Sequence, residues 1–584
     1  MQLDLKQGSR PRILAILTIV IMAVFVVRLF YLQIIEHGYY VTQANLEQLK
    51  QLVIPAKRGE IYAMDDGTPV KIVLNQDVYT VFADPATVSN RKGVINLINR
   101  VAGANAEPDI SGLLAQKGSR YAVLATKMSP QQAATIKDAN LQGIGFQEGT
   151  QRVYPEGQLA AQTLGFVNDQ GQGRYGIEQG MNKELSGTNG LLQSVTDVSD
   201  VPLTIGNNNI DKPAKNGTNI VMTIDQNVQA KAEEALAAGL KKSHATNGSV
   251  MVMDPQSGKI LAMANLPTFD PSQYEKVQDI SVFNNATISA PYEPGSDMKT
   301  LTMATGVDKG VVTPDSTYNN TDHIQVGDRV ISNATLGQTG VITLQHALNY
   351  SLNTGFVTVA ERLGDGQNIN LQARDTMYDY FHNKFGLGQL TGIQLSGEEA
   401  GIILPPTDPN GGAVQYSNMA FGQGLDVTMV QVCAAFSSVI NGGTYYSPTV
   451  LAGTMSDDGS IFTPQTSKPV RTSVIKPSTS DTMRNMIHVA RDAFYASDDT
   501  SGYYVGGKTG TSQTLVDGQY VNNQTVGTYL GFGGNDGTSS GPKYVIMVQV
   551  SGKNMNLAGN TDAMPIFTDI SNWMLNYLKL QPKG

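Results

Sequence analysis

The chain has 584 residues, more than one hydrophobic core normally serves, so we expect two or more domains beside any membrane segment. Its 41% hydrophobic and 16% charged composition is that of globular protein, and its formal net charge of −9 disfavours nucleic-acid binding, which needs a basic surface. One cysteine excludes a disulfide within the chain and Cys-rich zinc sites, and the six histidines show no His-Glu-x-x-His spacing, so a metal enzyme is not expected.

An apolar stretch near the amino end is long enough to cross a membrane. As a helix, Ile13–Ile35 spans a hydrocarbon core of about 30 Å. The basic residues Lys6, Arg10 and Arg12 precede it, which predicts a cytoplasmic tail over 1–12 and places everything after about residue 36 outside the membrane. A cleaved signal peptide and a buried helix are the alternatives. The length of the stretch and the lack of a small-x-small cleavage site favour an uncleaved, single-pass anchor over 13–35.

Two regions follow the anchor. Residues 36–215 mix short alternating stretches with Gly- and Pro-rich loops, which predicts an irregular α+β domain. The polar, turn-rich segment 207–217 is typical of a linker. Residues 216–584 are predicted to form a second domain.

The second region carries helix and strand signals in chain order. A helix is predicted over Gln226–Leu240, and strands over Ser249–Met253 and Lys259–Ala264 are joined by a Pro- and Gly-containing loop that predicts a hairpin. Residues 296–440 show helical spacing of apolar side chains. Cys433 lies in one of these apolar helices, so we expect a buried small side chain rather than a reactive thiol.

Two strands and a helix are predicted late in the chain. Val526–Phe532 and Tyr544–Val550 flank the turn NDGTSSGP, and an apolar stripe from Ile566 to Tyr577 predicts the helix. Strands on both sides of a helical middle predict one α+β domain whose sheet is assembled from both ends of the region.

The stretch YEPGSDMK places a serine and a lysine three residues apart. Ser-x-x-Lys occurs four times, at Ser89, Ser296, Ser473 and Ser540, so the pattern alone is weak. Only Ser296 is followed by a plausible helix after a Pro-Gly entry. On that helix Lys299 shares a face with the serine, whose oxygen lies where a helix N-terminus favours negative charge.

A serine hydroxyl needs an adjacent base, and Lys299 can serve only when it is neutral. Burial or a neighbouring cation must therefore lower its pKa. The sequence Lys508-Thr509-Gly510-Thr511 occurs once and offers this cation. Its hydroxyls suit a carboxylate, and its glycine lets a substrate backbone lie close to a strand.

Between these motifs lies the only Ser-x-Asn of the chain, Ser351-Leu352-Asn353, after the apolar helix LQHALNY. It offers a hydroxyl that can relay a proton and an amide that can hold a substrate carbonyl or Lys299. A helix C-cap with an incidental serine is the alternative for this tripeptide alone. The three motifs in fixed order, each in its expected setting, favour a catalytic site.

With these motifs the chain resembles a class B penicillin-binding protein, a membrane-anchored transpeptidase of the penicillin-recognising serine enzymes. The resemblance extends to FGQGLDVT and to the pedestal segments PAKRGEIY, RVYP and YGIE, although Asp297 occupies a position where the family more often has Thr or Ser. It implies an α+β fold with a single transmembrane helix, a dimerisation-type pedestal domain and a transpeptidase domain. The last is expected to have an antiparallel sheet with helices on both faces plus an all-helical subdomain.

The resemblance implies acyl transfer without a cofactor. Ser296 attacks the penultimate D-Ala carbonyl of a peptidoglycan stem peptide and releases the terminal D-Ala, while Lys299 accepts the serine proton. Ser351 and Asn353 manage the proton and the substrate amide. An amine of a neighbouring stem then resolves the acyl-enzyme into a cross-link, and no ATP is needed because the bond energy is already in the donor peptide.

The same resemblance assigns substrate binding to the third motif, Lys508-Thr509-Gly510-Thr511. Lys508, Thr509 and Thr511 hold the terminal carboxylate, and Gly510 leaves room for the substrate backbone. The backbone N–H groups of Ser296 and Thr511 form the oxyanion hole, the feature that commonly contributes most to catalysis of this kind.

The implied partners are stem peptides of a lipid-linked precursor or nascent glycan, β-lactams as covalent inhibitors, a polytopic membrane glycosyltransferase and other divisome proteins, with no nucleic acid. Tyr-Glu-Pro-Gly-Ser followed by Met-Lys is more like division-type members, which favours septal wall synthesis; an elongation-type transpeptidase is the alternative. A non-catalytic scaffold that activates the glycosyltransferase, and a β-lactamase or β-lactam sensor, remain as other hypotheses. The long pedestal disfavours a β-lactamase.

Overall fold

The computed structural model of the protein describes residues 10–38, 49–116, 118–195, 210–516 and 519–582. Most of the predicted cytoplasmic tail therefore lies outside the described residues. The described chain divides into two compact units, one up to Lys57 together with Gly187–Asn216, and the other from Arg58–Ser186 together with the chain from Gly217 onward.

The first unit contains the predicted anchor. Helix α1 (Arg10–Phe30) continues as a π-helical turn over Tyr31–Ile35. The span Pro11–Ile35 has a mean hydropathy of 2.9 and none of its apolar window is buried. At about 1.5 Å per residue, this helix is long enough to cross a bilayer.

A three-stranded antiparallel sheet belongs to the same unit. Its strands, in the order β1–β8–β9, are β1 (Leu49–Ile54), β8 (Gly190–Val195) and β9 (Ile210–Lys212). Strand β9 lies in the segment that the sequence predicts as a linker, so part of that linker is an ordered edge strand because it pairs with β8.

The second unit begins with a seven-stranded mixed sheet. Its main path runs β19–β18–β10–β2–β3–β4, and β5 pairs with β3. The strands are β2 (Ile61–Asp65), β3 (Thr68–Ala83), β4 (Ala122–Met128), β5 (Ile144–Val153), β10 (Asn219–Asp225), β18 (Leu451–Met455) and β19 (Phe462–Pro464). Helices α2 (Arg91–Ala102), α3 (Ile110–Ala115) and α4 (Pro130–Asp138) share a hydrophobic core with β3 and β4.

A buried ionic cluster joins three segments that are far apart in the sequence. Arg58 Nε donates to Glu178 Oε2 at 2.7 Å, and Arg152 Nε donates to Glu178 Oε1 at 2.8 Å. All three side chains are buried, so each charge depends on this pairing. The cluster lies among short helices and strands: α5 (Ala161–Leu164), α6 (Gly176–Gly180), α7 (Asn182–Ser186), β6 (Phe166–Val167) and β7 (Gly173–Arg174).

A five-stranded antiparallel sheet in the order β12–β11–β23–β22–β21 forms the centre of the unit. Its strands are β11 (Asn247–Met253), β12 (Ile260–Leu266), β21 (Tyr504–Val516), β22 (Gln519–Gly534) and β23 (Pro542–Ser551). The predicted hairpin, the two late strands and the assembly of the sheet from both ends of the region are confirmed. Strand β21 lies at the edge, which leaves one side of its backbone unpaired within the sheet.

Helices cover both faces of this sheet. The side chains of β11 alternate, as strand geometry requires: Val250 and Val252 pack with α8 (Gln226–Ser243) and α17 (Met564–Tyr577), whereas Met251 and Met253 face the opposite core. That opposite core contains α10 (Met298–Asp308), α15 (Met429–Ile440) and α16 (Pro477–Tyr495). Cys433 is fully buried in α15, as the sequence predicts.

The middle of the chain is less uniformly helical than its spacing predicts. Its further helices are α9 (Ala286–Ser289), α11 (Leu344–Asn349), α12 (Asn353–Arg362), α13 (Leu371–Tyr378) and α14 (Ala413–Met419). Short strands also occur here: β13 (Thr317–Asn320) pairs with β16 (Gly340–Thr343), β14 (His323–Val326) with β15 (Arg329–Ser332), and β17 (Tyr445–Tyr446) with β20 (Pro469–Arg471).

Candidate active site

The predicted nucleophile lies in a tight turn between the edge strand and a helix. A 3₁₀ turn over Gly295–Asp297 leads directly into α10. Gly295 has a φ of +59°, and a Cβ at this position would lie 2.9 Å from the carbonyl oxygen of Thr511. Its N–H also donates to the carbonyl oxygen of Gly422 at 2.9 Å. These close approaches hold Ser296 beside β21.

The amine of Lys299 is the centre of the site. It is fully buried and lies 2.9 Å from Ser296 Oγ. It lies 2.7 Å from the Ser351 carbonyl oxygen, 3.1 Å from Ser351 Oγ and 2.8 Å from Asn353 Oδ1. Two of these neighbours, the carbonyl oxygens, can only accept. A neutral amine satisfies both by donation and keeps a lone pair for the hydroxyl proton of Ser296.

The surroundings of Lys299 favour this neutral form. Burial, and secondly the positive charge of Lys508, hold the pKa of Lys299 well below its usual value. The Phe356 ring lies 5.5 Å from Nζ and adds apolar surface on one side. This environment therefore favours the uncharged amine that a general base requires.

Ser351 and Asn353 lie at the junction of two helices. Ser351 adopts a left-handed conformation with a φ of +57° between α11 and α12, and Asn353 is the first residue of α12. The Asn353 side chain donates from Nδ2 to the Ser332 carbonyl oxygen at 2.8 Å, which turns Oδ1 toward Lys299. Both the carbonyl and the hydroxyl of Ser351 face the amine, so the serine is not an incidental neighbour of a helix end.

Lys508 reaches the same cluster from the edge strand. Its Nζ donates to Ser351 Oγ at 2.9 Å and to the Thr509 carbonyl oxygen at 2.8 Å, and lies 3.3 Å from Thr509 Oγ1. The Ser351 hydroxyl therefore lies between the two lysine amines. Burial lowers the pKa of Lys508 to about 8, while the neighbouring carboxylate of Asp297 raises it.

Asp297, to which the sequence assigns no role, is a buried acid beneath this cluster. Its Oδ2 accepts a hydrogen bond of 2.7 Å from Thr528 Oγ1, and its Oδ1 has no hydrogen-bond partner among the described residues. Burial raises the pKa of Asp297 to about 7, opposed by the Thr528 hydrogen bond and the charge of Lys508. Its negative charge acts on Lys508, so it favours the protonated form of Lys508 and not that of Lys299.

Gly510 has a packing role besides the one predicted for it. A Cβ on Gly510 would lie 2.1 Å from Thr528 Oγ1 and 3.0 Å from Asp297 Oδ2. Thr528 is the ladder partner of Gly510 in β22, so the missing side chain allows the Thr528 hydroxyl to reach Asp297 across the sheet. Its contribution to substrate binding remains a prediction.

A cleft of about 650 Å³ opens in front of the cluster. Ser296, Ser351, Asn353, Thr509 and Thr511 line it, together with the aromatic rings of Tyr350, Phe494 and Tyr495. The size is that of a ligand site. The structure thus brings together the predicted residues of all three motifs, with the hydroxyls of the third motif lining the same cleft as the nucleophile. In the part of the chain that the structure describes, no three His, Cys, Asp or Glu side chains are arranged to hold a metal ion.

The counter-charge of Asp297 predicts a shift in the pH dependence of acylation. If Lys508 binds the substrate carboxylate as a cation, acylation by a penicillin falls as the pH rises through about 8. In Asp297→Asn the carboxylate that raises the pKa of Lys508 is absent, so this alkaline limb is expected to move to lower pH. The measurement is the second-order acylation rate between pH 6 and pH 10.

Asp297→Thr is the matched variant, because it also removes the charge but changes the shape. The other groups that face Asp297, namely Thr528, Tyr292 and Cys433, carry no charge at neutral pH. Equal shifts in both variants identify the charge as the cause. An alkaline limb that stays in place in both would contradict the coupling of Asp297 to Lys508.

Comparisons with known proteins agree over most of the chain. The model "Penicillin-binding Protein dimerisation domain" matches residues 53–222, and the model "Penicillin binding protein transpeptidase domain" matches residues 248–572. Stage V sporulation protein D of Bacillus subtilis is 31% identical over 98% of this chain and 87% of its own length. The peptidoglycan D,D-transpeptidase FtsI of Escherichia coli is 24% identical over 95% of this chain and 89% of its own length. Among solved structures, penicillin-binding protein 3 of Mycobacterium tuberculosis, complexed with aztreonam, has a TM-score of 0.65 and 24% identity, over 91% of this chain and 98% of that chain.

Proposed function

This chain belongs to the penicillin-binding proteins that carry a dimerisation domain and a transpeptidase domain, and we propose that it is a serine-type peptidoglycan D,D-transpeptidase. One observation carries the proposal: the buried amine of Lys299 lies 2.9 Å from Ser296 Oγ with its other neighbours arranged for a neutral base. The similar FtsI protein of Escherichia coli is named for the same activity.

The first half-reaction forms an acyl-enzyme. Ser296 Oγ attacks the penultimate D-Ala carbonyl carbon, and its proton passes to Lys299. The N–H groups of Ser296 and Thr511 stabilise the oxyanion. When the peptide C–N bond breaks, the proton passes from Lys299 through the Ser351 hydroxyl, which lies 3.1 Å away, to the leaving amine. Terminal D-Ala departs and the stem remains esterified to Ser296.

The second half-reaction reverses these proton transfers. An uncharged amine of a neighbouring stem attacks the ester carbonyl and gives its proton to Lys299. As the ester C–O bond breaks, the proton returns to Ser296 Oγ and a new amide cross-link forms. One amide is exchanged for another, so no external energy source enters the reaction. Asn353 holds Lys299 and the substrate amide in both half-reactions, whereas Lys508, Thr509 and Thr511 hold the carboxylate of the terminal D-Ala during the first.

The cellular setting follows from the same proposal. We place residues 36–215 as the pedestal and 216–584 as the catalytic domain outside the membrane, with a single span and a cytoplasmic N-terminus, because basic residues precede the span. The partners are stem peptides, β-lactams, a polytopic glycosyltransferase and other divisome proteins. The motif YEPGSDMK supports synthesis at the septum, and midcell rather than cylindrical localisation of a fluorescent fusion tests it.

The activity itself is tested with a stem peptide ending in D-Ala-D-Ala and a second stem as amine acceptor. We expect the purified chain to release one D-Ala for each cross-link, both measured by mass spectrometry. Pre-treatment with a penicillin is expected to stop both products together. Release of D-Ala without cross-link would mean hydrolysis, and no release from an enzyme that penicillin acylates would contradict the proposed substrate.

A further inference from the structure

A second cavity, of about 460 Å³, adjoins the cleft. Three chain segments run from one to the other. The chain over 293–296 contributes Ser296 to the cleft and Glu293, which precedes the turn, to this cavity. Strand β21 contributes Thr511 to the cleft and Ser512–Thr514 to the cavity, and the loop after α14 contributes Gln423 to the cleft and Asp426 to the cavity. A ligand that pairs with the free edge of β21 can therefore extend from one into the other.

The charge of this cavity, called here the acidic pocket, is of one sign. Glu293, Glu399 and Asp426 line it, and no lysine, arginine or histidine does. Within the described ranges, none of these three carboxylates takes part in an ion pair. Packing three carboxylates around one cavity without a cation is unfavourable, because each raises the cost of charging the next.

Glu293 gives a second, independent observation at this pocket. Its side chain is 4% exposed, and its Oε1 accepts from the Gly424 N–H at 2.6 Å and from the Tyr520 hydroxyl at 3.0 Å. Its Oε2 is buried without a hydrogen-bond partner in the described chain. The hydrogen bond to Gly424 N–H explains why Oε1 is buried. It explains neither the burial of Oε2 nor the presence of the other two carboxylates.

The chemistry of the lining selects the class of cation. A divalent metal needs several oxygen ligands at about 2.0 to 2.6 Å, and no three acidic or histidine side chains in the described part of the chain converge in that way. A primary ammonium brings one positive charge and three donors on a flexible stem, and so suits carboxylates distributed around a larger cavity.

We propose that the acidic pocket binds a non-reacting primary ammonium group of a peptidoglycan stem peptide. The inference depends on the proposed function, in which every acceptor stem carries an amine and a donor of the same kind therefore carries one too. The amine that attacks the acyl-enzyme must be uncharged and must lie at Ser296. An amine held as an ammonium in the pocket is thus a different one, belonging either to the donor stem or to a second amine of the acceptor.

The test compares stem donors that have a free amine with the same donors after acetylation of that amine. The variants are Asp426→Asn and Glu399→Gln, whose side chains make no hydrogen bond in the described structure and which are more exposed than Glu293. The wild-type ratio of kcat/KM for the free over the acetylated donor is expected to fall about 10-fold in each variant, the size of one lost charge-assisted hydrogen bond. Asp457→Asn, an exposed carboxylate outside the pocket, is the matched control.

A second experiment keeps the donor acetylated and compares acceptors that have or lack a second free amine. It measures the fraction of acyl-enzyme that forms cross-link instead of being hydrolysed. A change in the donor ratio assigns the ammonium to the donor stem, a change in the partition assigns it to the acceptor, and either supports the pocket. If both readouts match wild type in the two variants and in the double variant, the pocket is not an ammonium site. Absence of cross-linking by the wild-type chain would instead overturn the proposed function, so the two failures are distinguishable.

Discussion

A Ser296→Ala chain is expected to form no covalent adduct with a labelled penicillin, whereas the wild-type chain forms one adduct per molecule, on the peptide that contains Ser296. Acylation needs a nucleophilic oxygen, which is Ser296 Oγ at 2.9 Å from Lys299 Nζ, and alanine has none. Intact-mass spectrometry followed by peptide mapping measures both results. Ser351 Oγ also lies 3.1 Å from the amine, but the proposed reaction uses it as a proton relay and not as a nucleophile, so the loss is expected to be complete.

Ser540→Ala is the matched control for this variant. Ser540 is also followed by a lysine three positions later, but it is exposed and lies in the turn between β22 and β23. The Ser540→Ala chain should therefore be labelled at Ser296 to the same extent as the wild-type chain. Labelling of Ser296→Ala at any serine would refute the assignment of the nucleophile.

The same variant separates an enzyme from a scaffold. If the chain acted only as an activator of a glycosyltransferase, Ser296→Ala would restore growth of a strain that lacks the wild-type protein. We expect no rescue, because the proposed reaction passes through an ester on that oxygen. Full rescue with undetectable acylation would favour the scaffold.

The sheet and its helices could be predicted because their signals are local. Alternating Val and Met residues in β11 assign one set to each face, and this period of two is visible in the sequence before any partner is known. The short strands β13 to β16 were missed for the opposite reason. Each has four residues, and their pairing with one another, rather than their composition, makes them strands.

The residues of the site that the three motifs specify could be predicted from their chemistry, whereas those that no motif specifies could not. Lys299 must be neutral to act as a base, and a neighbouring cation helps burial to lower its pKa, so the chemistry pointed from Ser296 to Lys508 without any knowledge of the fold. The role of Asp297 could not be found in this way. It depends on Thr528, which is close only because it lies opposite Gly510 in the ladder, and register is not readable from either strand alone.

The buried ionic cluster makes the same point in the pedestal. Arg58, Arg152 and Glu178 each stand in a segment that resembles the family. The two arginines lie 120 and 26 residues before Glu178, and these separations do not indicate that both share one carboxylate. Tertiary pairing of distant charges is a property of the folded chain.

Replacement of Lys299 by methionine or by arginine is expected to lower the second-order rate of acylation by about 10²- to 10⁴-fold, the range for loss of a general base. Methionine fills the buried space without a lone pair of comparable basicity. Arginine carries a permanent positive charge, because its guanidinium does not deprotonate in proteins, so it cannot accept the serine proton. Stopped-flow or quenched labelling of Ser296 at several penicillin concentrations measures the rate.

The comparison of the two variants decides what Lys299 does. If its contribution were only a positive charge near the oxyanion or the carboxylate, arginine would retain most of the activity and methionine would not. If it is the base, both fail, and the acidic limb of the wild-type pH profile, where Lys299 becomes protonated, is absent from their residual activity. Lys543→Met, at the exposed Ser-x-x-Lys pair beside the β22–β23 turn, is the control for replacing a lysine by methionine. Its second-order rate of acylation should equal that of the wild-type chain. Near-normal acylation by Lys299→Arg would require another proton acceptor for Ser296, and the nearest amine left on that side of the site is Lys508, held at 2.9 Å from Ser351 Oγ.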